Sequence, residues 1–427
     1  MANLAKSDTK FLLASGMGTF LEFLDFAIYI AAAPLLTHYF FATTSELASI
    51  VFTWAAFATA FLVRPIGAIL FGHIGDRMGC KKAMILSIIV MSLSTLGIGC
   101  LPGFSSIGYF APVLLILFRI CQGLAVSSEY SGIGVYLSQR LDLAPRFGSL
   151  CSITVIATWL GYFVGNYLMS ITNMISDATW RWRVPFIATG VIVGVVGSWL
   201  RVSMNKGLPE KQVRIPFVSL LKTQKKEIGI CMILSGFVGV ACYMLLSYFP
   251  GYCQKYYGYS LEQAFALRDY LVLITISVTI FSGWLSDKVN RLSIMKVSAV
   301  LLLVVTICCL FLKLWFDWDL LMIQFLTVAI VIGLFSGPLP AVLAESFREE
   351  QRYTGSAFGH NIGIGWLGVG TAQWGLLLTY QFINNECHIL VYCAFFCVAA
   401  IVGLTLLSKS HSGITVFPAF QTHPKTS

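Results

Sequence analysis

The segment GHIGDRMGCKK, residues 72–82, joins two long apolar runs and returns in altered form later in the chain. The related segment is GWLSDKVNR at residues 283–291, where Gly and Asp again stand four residues apart. One offset of 211 residues relates the matched pairs, Gly72 with Gly283 and Asp76 with Asp287. Repeats at corresponding places of two halves are typical of secondary transporters. The sequence therefore predicts two related helical halves.

Composition indicates that the surroundings of the chain are mostly lipid. The 427 residues are 57% hydrophobic and 11% charged, whereas a soluble protein has about 25% charged residues. This excludes an ordinary cytosolic enzyme, a nucleic-acid binder and a disordered protein. The 12 cysteines are scattered through apolar runs with neither C-x-x-C nor a Cys/His cluster, so no disulfide framework and no metal site is expected.

Twelve apolar runs are long enough to span a membrane, which takes about 20 residues per helix. The first half predicts spans near 11–39, 47–72, 83–101, 110–137, 148–173 and 184–202. The second half predicts spans near 228–254, 264–285, 292–315, 319–344, 354–380 and 387–408. The expected fold is an all-α membrane protein of two six-helix bundles.

Lysine and arginine predict the orientation of these spans. With the N-terminus inside, 21 Lys and Arg fall on the cytoplasmic side and 5 on the opposite side, with Arg64 and Arg119 inside apolar runs. Such a bias places both termini in the cytoplasm. The net charge of +9 is then a consequence of topology, and no nucleic-acid partner is expected.

A polar interruption predicts the domain boundaries. We expect an N-terminal bundle over 1–202, a cytoplasmic linker over 203–227, a C-terminal bundle over 228–408 and a short cytoplasmic tail over 409–427. The linker carries eight charged residues and divides the spans six plus six.

Five segments together resemble a known family. They are the loop at residues 72–82, Gly18–Phe26, Arg64–Gly67 continuing to His73, Arg119–Gly123 with Glu129, and Gly337–Ala341 continuing through Glu345 to Arg352–Gly355. The loop resembles the signature of the major facilitator superfamily. The other four resemble its metabolite:proton symporter family, which includes proline/betaine, α-ketoglutarate, citrate and shikimate transporters.

The resemblance implies a proton-coupled symporter that imports a small organic solute by alternating access. It also implies a bacterial cytoplasmic (inner) membrane, a functional monomer, no cofactor, and spans one and four on the central cavity. A single arginine near the membrane centre suits a proline- or betaine-like zwitterion or a monocarboxylate better than a tricarboxylate, and a dicarboxylate stays open.

Charged residues within apolar runs are the candidates for proton coupling, because each costs about 2.5–3.5 kcal/mol at a helix centre. Glu22 and Asp25 lie three residues apart, on one helical face, and Arg119 lies at a similar depth in span four. Asp25, helped by Glu22, is predicted to carry the proton, with Arg119 as counter-charge or anchor for a substrate carboxylate. The alternative is a static ion pair that fixes helix packing.

Two further charges lie toward the cytoplasmic side. Glu129 is a candidate proton carrier, although a structural role as a partner of Arg64 or as a gate is slightly favoured. Arg64 precedes Pro65 near the predicted end of span two, where a long side chain can extend to the interface, and is predicted to be scaffold. Gln122 lies on nearly the same face as Glu129 and is a candidate substrate contact.

The second half has uncharged polar residues near mid-membrane. The candidate substrate contacts there are Tyr243, Tyr248, Asn361, Trp366 and Gln373. His360 could titrate near neutral pH, but packing or hydrogen bonding is the favoured role. Residues at the ends of spans are predicted to have gate or scaffold roles. An acid there can meet a helix N-terminus, and a base can bond a helix end. These residues are Gly72, Asp76, Arg77, Asp287, Lys288, Glu345 and Arg352.

Other functions are less compatible with the sequence. A proton-antiport exporter of a metabolite or drug would use the same acids, so the sign of coupling distinguishes it from the symporter. A sensor derived from a transporter would be expected to carry an added signalling domain, which the sequence lacks. No H-E-x-x-H, G-x-S-x-G or nucleotide loop occurs, so no enzyme activity and no catalytic residue are expected.

Overall fold

A computed structural model describes residues 6–41, 46–127, 129–138, 145–172, 174–202, 216–316, 320–370 and 387–410. The first half contains α1 (Lys6–Phe40), α2 (Glu46–Leu62), α3 (Arg64–Met78), α4 (Cys80–Cys100), α5 (Phe104–Ile107), α6 (Phe110–Val126), α7 (Glu129–Ser138), α8 (Phe147–Thr172), α9 (Ala178–Ile192) and α10 (Ser198–Val202). A π-helical turn, Val193–Gly197, joins α9 to α10.

The second half contains α11 (Pro216–Thr223), α12 (Lys225–Tyr243), α13 (Phe249–Tyr257), α14 (Leu261–Leu285), α15 (Arg291–Phe316), α16 (Leu321–Ser336), α17 (Leu339–Glu345), α18 (Arg352–Asn361) and α19 (Cys387–Ser410). Two π-helical segments, Met244–Tyr248 and Ile362–Gly370, follow α12 and α18. Such turns widen a helix locally and occur often at functional sites.

Eleven helical runs within the described residues are long and apolar enough to cross a membrane. The predicted span 354–380 begins as α18 and its π-helical segment, and residues 371–386 lie outside the described part of the chain. Large apolar side chains cover the outside of the bundle, among them Leu93, Trp199, Val297 and Phe395. A surface of this kind is stable against lipid and not against water, so the chain is a multi-pass membrane protein.

Small residues let the helices of each half approach closely. A Cβ atom on Gly161 of α8 would collide with the carbonyl oxygen of Phe20 on α1, and one on Gly368 would lie 2.6 Å from the Cα of Gly239 on α12. Close approach through glycine is the usual means of packing helices in lipid.

The two halves meet at one end of the bundle, which we call the motif end because Asp76 and Asp287 lie there. Gly72 on α3 packs against Thr354 on α18, where an added Cβ would lie 2.9 Å from the Cα of Thr354. Asp287, just after α14, contacts the start of α8. At the opposite end, which we call the far end, an open depression of about 520 Å³ separates α1 from α13 and α14.

Residues 203–215, within the predicted linker, lie outside the described residues, and α11 occupies part of the remainder. The division of the chain into two bundles, linker and tail therefore stays a prediction.

Candidate functional site

A cavity of about 160 Å³ lies between the two halves, near the middle of the bundle. Its wall is mainly apolar, and nine of the lining residues are aromatic: Phe23, Phe26, Trp54, Phe57, Phe61, Tyr130, Trp159, Tyr162 and Tyr243. An apolar cavity of about 150 Å³ holds a benzene-sized molecule. The depression at the far end shares Ile30, Trp54, Leu246 and Ser247 with this cavity. A small solute can therefore approach the cavity from the far end.

One ion pair faces the cavity. An Nη2 atom of Arg64 donates to Oε1 of Glu22 at 3.0 Å, and both side chains are 4% exposed. The guanidinium also lies 4.5 Å from the ring centre of Phe61 and 5.1 Å from that of Phe26. Its Nε has no hydrogen-bond partner among the described residues. Arg64 therefore presents a positive charge held by one carboxylate and two aromatic faces.

This position of Arg64 corrects the sequence-based expectation. The span that contains it extends from Phe52 to Met78, so Arg64 lies at mid-span and not near the end. Its side chain stays buried and does not extend to the interface. The partner of Arg64 is Glu22 and not Glu129.

Asp25 and Arg119 form a second ion pair that lies behind the cavity wall. Nη1 of Arg119 donates to Oδ2 of Asp25 at 3.0 Å, and neither side chain is exposed. Gln122 and Thr95 also donate to Oδ1 of Asp25, at 2.9 and 3.2 Å. The guanidinium lies 4.3 Å from the ring centre of Tyr29. These four polar side chains bond to one another and tie α1 to α4 and α6, while Nε and Nη2 of Arg119 have no hydrogen-bond partner among the described residues.

None of Asp25, Arg119 and Gln122 lines the cavity. The predicted counter-charge role of Arg119 agrees with its contacts, whereas contact with a solute would require the rings of Phe26 and Phe57 to move. The predicted contact of Gln122 with substrate does not occur in this geometry, because its amide bonds only to buried partners.

The second half contributes uncharged groups to the cavity. Tyr243, Asn361 and His360 line it, and so does Ser336, whose hydroxyl has no partner among the described residues. Nδ1 of His360 lies 3.0 Å from the Ser235 hydroxyl. Its ring stacks on Tyr130 with 4.1 Å between centres. His360 thus packs and hydrogen-bonds, as the sequence favoured, and Ser336 was missed because a lone serine carries no signal.

Two predicted contacts of the second half fall outside the cavity lining. Tyr248 lies outside the cavity lining and packs on Tyr252 and Phe325. Trp366 is 46% exposed and also lies outside the lining. Gln373 lies outside the described residues.

Below the cavity, toward the motif end, a third buried ion pair joins Glu129 to Arg201. Both guanidinium nitrogens Nη1 and Nη2 of Arg201 donate to the Glu129 carboxylate, and so does the hydroxyl of Ser87. Arg201 is fully buried and Glu129 is 4% exposed. The sequence did not identify Arg201 as a site residue. It stands at the end of span six, where a positive charge is expected from membrane topology alone.

Asp76 and Asp287 each bind a helix N-terminus in the other half. Oδ2 of Asp76 accepts from the backbone N–H of Thr354 at 3.1 Å and from its hydroxyl. Asp287 accepts from the backbone N–H of Gly148 at 2.7 Å and of Ser149 at 3.1 Å. A carboxylate is stabilised at the positive end of a helix dipole. The two repeated loops therefore close the motif end in the same way.

The other residues expected at the gate have different partners. Arg77 lies 3.4 Å from His73 on its own helix, and Lys288 lies over the ring of Trp284 at 3.8 Å. The described contacts of these two bases thus fall on neighbouring side chains and not on a helix end.

Glu345 and Arg352 form links on either side of the motif end. Nη1 of Arg291 donates to Glu345 at 2.5 Å within the second half. Nη1 of Arg352 donates to the Ser138 hydroxyl at 2.8 Å, and Nδ2 of Asn361 donates to the Ser127 carbonyl at 2.6 Å. The last two bonds connect the halves between the cavity and the motif end, so a solute in the cavity cannot leave in that direction without breaking them.

A central cavity between helices of the first and second halves, closed at the motif end and open toward the far end, is the geometry of a membrane transporter. A family model described as Major Facilitator Superfamily matches residues 16–372. The chain belongs to this superfamily, and it is a transporter and not an enzyme.

Two proteins of similar sequence are named as transporters. The chain is 32% identical over 378 residues to the inner membrane metabolite transport protein YhjE of Escherichia coli, covering 83% of this chain and 84% of that protein. It is 28% identical over 415 residues to a putative proline/betaine transporter of Staphylococcus haemolyticus, covering 94% and 87%.

A solved structure confirms the fold. The proton:xylose symporter XylE bound to 6-bromo-6-deoxy-D-glucose superimposes with a TM-score of 0.77 at 16% identity, covering 94% of this chain and 95% of that one. At this level of identity the similarity concerns the fold alone.

Proposed function

We propose that this protein imports a small zwitterionic solute, of the proline or betaine kind, together with a proton. The observation that carries the proposal is the Glu22–Arg64 pair, which faces a cavity lined by aromatic rings. The names of the relatives, metabolite transporter and putative proline/betaine transporter, agree with a solute of this class.

The charges of a zwitterion match the two kinds of group on the cavity wall. A carboxylate pairs with the guanidinium of Arg64, because arginine presents planar donors that fit a carboxylate. A substituted ammonium group is attracted to aromatic faces, with rings such as Trp159 and Tyr243 available. Among the described lining residues Arg64 is the only arginine or lysine, so a second carboxylate would lack a cationic partner.

Exchange of partners at Arg64 links proton to solute. In the empty cavity the charges of Glu22 and Arg64 neutralise each other at 3.0 Å. When a proton neutralises Glu22, the guanidinium is free to pair with the solute carboxylate. A buried charge without a partner is strongly unfavourable, so the stable states of the cavity hold both proton and solute, or neither. This is the condition for symport.

Glu22 therefore takes the role of proton carrier ahead of Asp25. Asp25 is fully buried behind the wall and bonded to Arg119, Gln122 and Thr95. Its contacts support the alternative already open from the sequence, a static pair that holds α1 against α4 and α6.

Orientation follows from the charge bias of the sequence, which assigns the motif end to the cytoplasm and both termini to that side. The cavity is then loaded from outside in this geometry. Opening the motif end requires the loss of the Asp76 and Asp287 contacts, which makes these loops gates. The protein is proposed to work as a monomer in a bacterial inner membrane, as the relatives' inner-membrane location suggests.

Uptake into proteoliposomes with an inside-alkaline gradient tests the proposal. Labelled betaine, proline, α-ketoglutarate, citrate and shikimate are compared in wild type, Glu22→Gln and Glu262→Gln, a control at an exposed site near the far end. We expect accumulation of betaine or proline that Glu22→Gln abolishes and Glu262→Gln preserves. Accumulation that survives Glu22→Gln would contradict the assignment of Glu22. Efflux driven by the reversed gradient, with no uptake, would favour the exporter.

A further inference from the structure

A second, smaller cavity connects two buried carboxylates on the motif-end side of the main cavity. It measures about 10 Å³ and is lined by Gly18, Leu21, Glu22, Ser87, Ile88, Met91, Ala125, Val126, Glu129 and Val193. A space of about 10–15 Å³ is the smallest that holds one water molecule, which also needs two to four polar partners. Glu22, Ser87 and Glu129 supply these partners within the lining.

Resting on the proposed function, we propose that Glu129 is the second proton site of the transport cycle and receives the proton from Glu22 through one water molecule in this cavity. The Glu22 carboxylic acid gives its proton to the water, and the water gives one of its own to the Glu129 carboxylate. No bond other than O–H forms or breaks, and the water is regenerated.

The contacts of Glu129 suit a group that alternates between carboxylate and acid. As a carboxylate it accepts from Arg201 and from the Ser87 hydroxyl. When Glu129 takes the proton, Nη1 of Arg201 keeps the Met84 carbonyl as an acceptor, and Nη2 keeps a neutral carboxyl oxygen of Glu129. The charge of Arg201 then has no anionic partner, which favours release of the proton once the motif end opens. The charged groups in contact with or beside Glu129 are thus Arg201 on α10 and Glu22 on α1, with Arg64 behind Glu22.

Transfer to Glu129 gives the cycle its direction. Once Glu22 loses its proton to Glu129, its carboxylate competes with the solute for Arg64 and weakens the hold on the solute. The proton need not return through the main cavity, where the solute lies. The solute is then released when the motif end opens, the same opening that lets the proton leave Glu129.

The same geometry prevents a leak. Glu129 is 4% exposed and Arg201 is fully buried, so Glu129 does not contact bulk water while the motif end is closed. Lys81 donates to the carbonyl of Val202 at 2.8 Å and thereby caps the end of α10 that carries Arg201. Release of the proton from Glu129 then has to wait for the motif end to open.

Glu129→Gln separates the relay from a static ion pair. Two rates are measured in proteoliposomes, betaine counterflow, which needs no net proton movement, and betaine-dependent proton entry, followed with a trapped pH dye. Glu129→Gln removes the charge partner of Arg201 and lowers stability, so both rates are normalised to the amount of folded, reconstituted protein. Per folded molecule, we expect counterflow within about twofold of wild type, and proton entry and accumulation lowered at least about tenfold. Equal losses of counterflow and proton entry would show a structural role and overturn the proposal, as would normal proton entry.

A cavity-filling variant repeats the test without touching a charge. Val193→Ile adds a methyl group beside the small cavity, where Val193 is 1% exposed, while Val195→Ile adds the same group at a site that is 66% exposed. We expect Val193→Ile to slow proton entry several-fold with counterflow preserved, and Val195→Ile to change neither. Proton entry unaffected by Val193→Ile would overturn the role of the water, whether or not Glu129→Gln folds.

The wild-type protein alone tests the proposed function, separately from the role of Glu129. If wild-type protein shows no betaine-dependent proton entry, the solute or the coupling is wrong, whatever Glu129 does. Infrared difference spectra recorded on lowering the pH then test Glu129 without any solute. We expect a carboxylic-acid carbonyl band that Glu129→Gln removes, and a spectrum unchanged by Glu129→Gln would overturn the proposal.

Discussion

Removing the charge of Asp76 is predicted to open the motif end. In wild type the carboxylate accepts from the backbone N–H of Thr354 at 3.1 Å and from its hydroxyl. A hydrogen bond to a charged group is worth about 1.5–3 kcal/mol and one between neutral groups about 0.5–1.5 kcal/mol. The helix N-terminus adds about 0.3–1 kcal/mol for a negative charge. Asp76→Asn keeps both contacts but makes them neutral, so the closed state loses about 3 kcal/mol in all.

A loss of about 3 kcal/mol shifts the ratio of open to closed molecules by roughly 100-fold, since 1.4 kcal/mol is tenfold. Distances between spin labels at Met78 and Val289 measure this ratio by double electron–electron resonance. Both positions lie at the motif end, in opposite halves, and are 53% and 46% exposed. Labels on noncanonical amino acids avoid the 12 native cysteines. We expect a larger long-distance population in Asp76→Asn.

The partner of the contact supplies the control. Thr354→Ala removes the hydroxyl donor, so its effect should be smaller in the Asp76→Asn background than in wild type, as contacting residues are not additive. Asp287→Asn acts on the other loop and should add its effect in full. A distance distribution unchanged by Asp76→Asn, or shifted toward the closed state, would refute the reasoning.

Three further predictions concern packing and the cavity wall. Asp25→Asn leaves the Arg119 charge buried without its partner and should lower stability by about 3–5 kcal/mol; a melting temperature equal to wild type would contradict this. Trp159→Ala should weaken betaine binding about 3- to 30-fold through lost cation–π attraction, with shikimate binding less affected in calorimetry. Gly161→Ala should cost about 1–3 kcal/mol of stability through overpacking against α1. Gly229→Ala is the control, because nothing lies within 4 Å of a Cβ atom added there, and it should not lower stability. Equal melting temperatures of the two variants would contradict this prediction.

Much of the fold could be predicted because few backbone structures can cross a lipid bilayer. Apolar runs of about 20 residues must be helices, and repeated loops reveal two related halves. The loops also predicted the contacts of Asp76 and Asp287, since an acid placed beside a helix start has an obvious partner. These inferences depend only on sequence position and on the charge of the helix end.

The pairing of the buried charges could not be predicted, because it depends on helix rotation and depth. Arg64 was placed too close to a span end, and its true partner Glu22 is 42 residues away on another helix. Arg201 was counted with the interfacial charges, yet Glu129 holds it in the interior. The sequence did contain an indication for Arg64. About a dozen mostly apolar residues follow it, which indicates that the span continues beyond this position.

The sequence predicted only some of the polar residues that face the cavity: Tyr243 and Asn361 line it, whereas Arg119 and Gln122 do not. Asp25 and Glu22 share a helical face by spacing, yet the rings of Phe26 and Phe57 cover Arg119, the partner of Asp25, while Glu22 reaches the cavity. Such a difference of a few ångströms depends on neighbouring helices and not on the local pattern.

Isothermal titration of the purified protein with betaine tests the link between proton and solute most directly. Repeating the titration in buffers of different ionisation enthalpy gives the number of protons taken up on binding. Because linkage is reciprocal, the account predicts uptake of about one proton per betaine in wild type at a pH where Glu22 is ionised, and none in Glu22→Gln. Binding without proton uptake in wild type, or equal uptake in Glu22→Gln, would contradict the account.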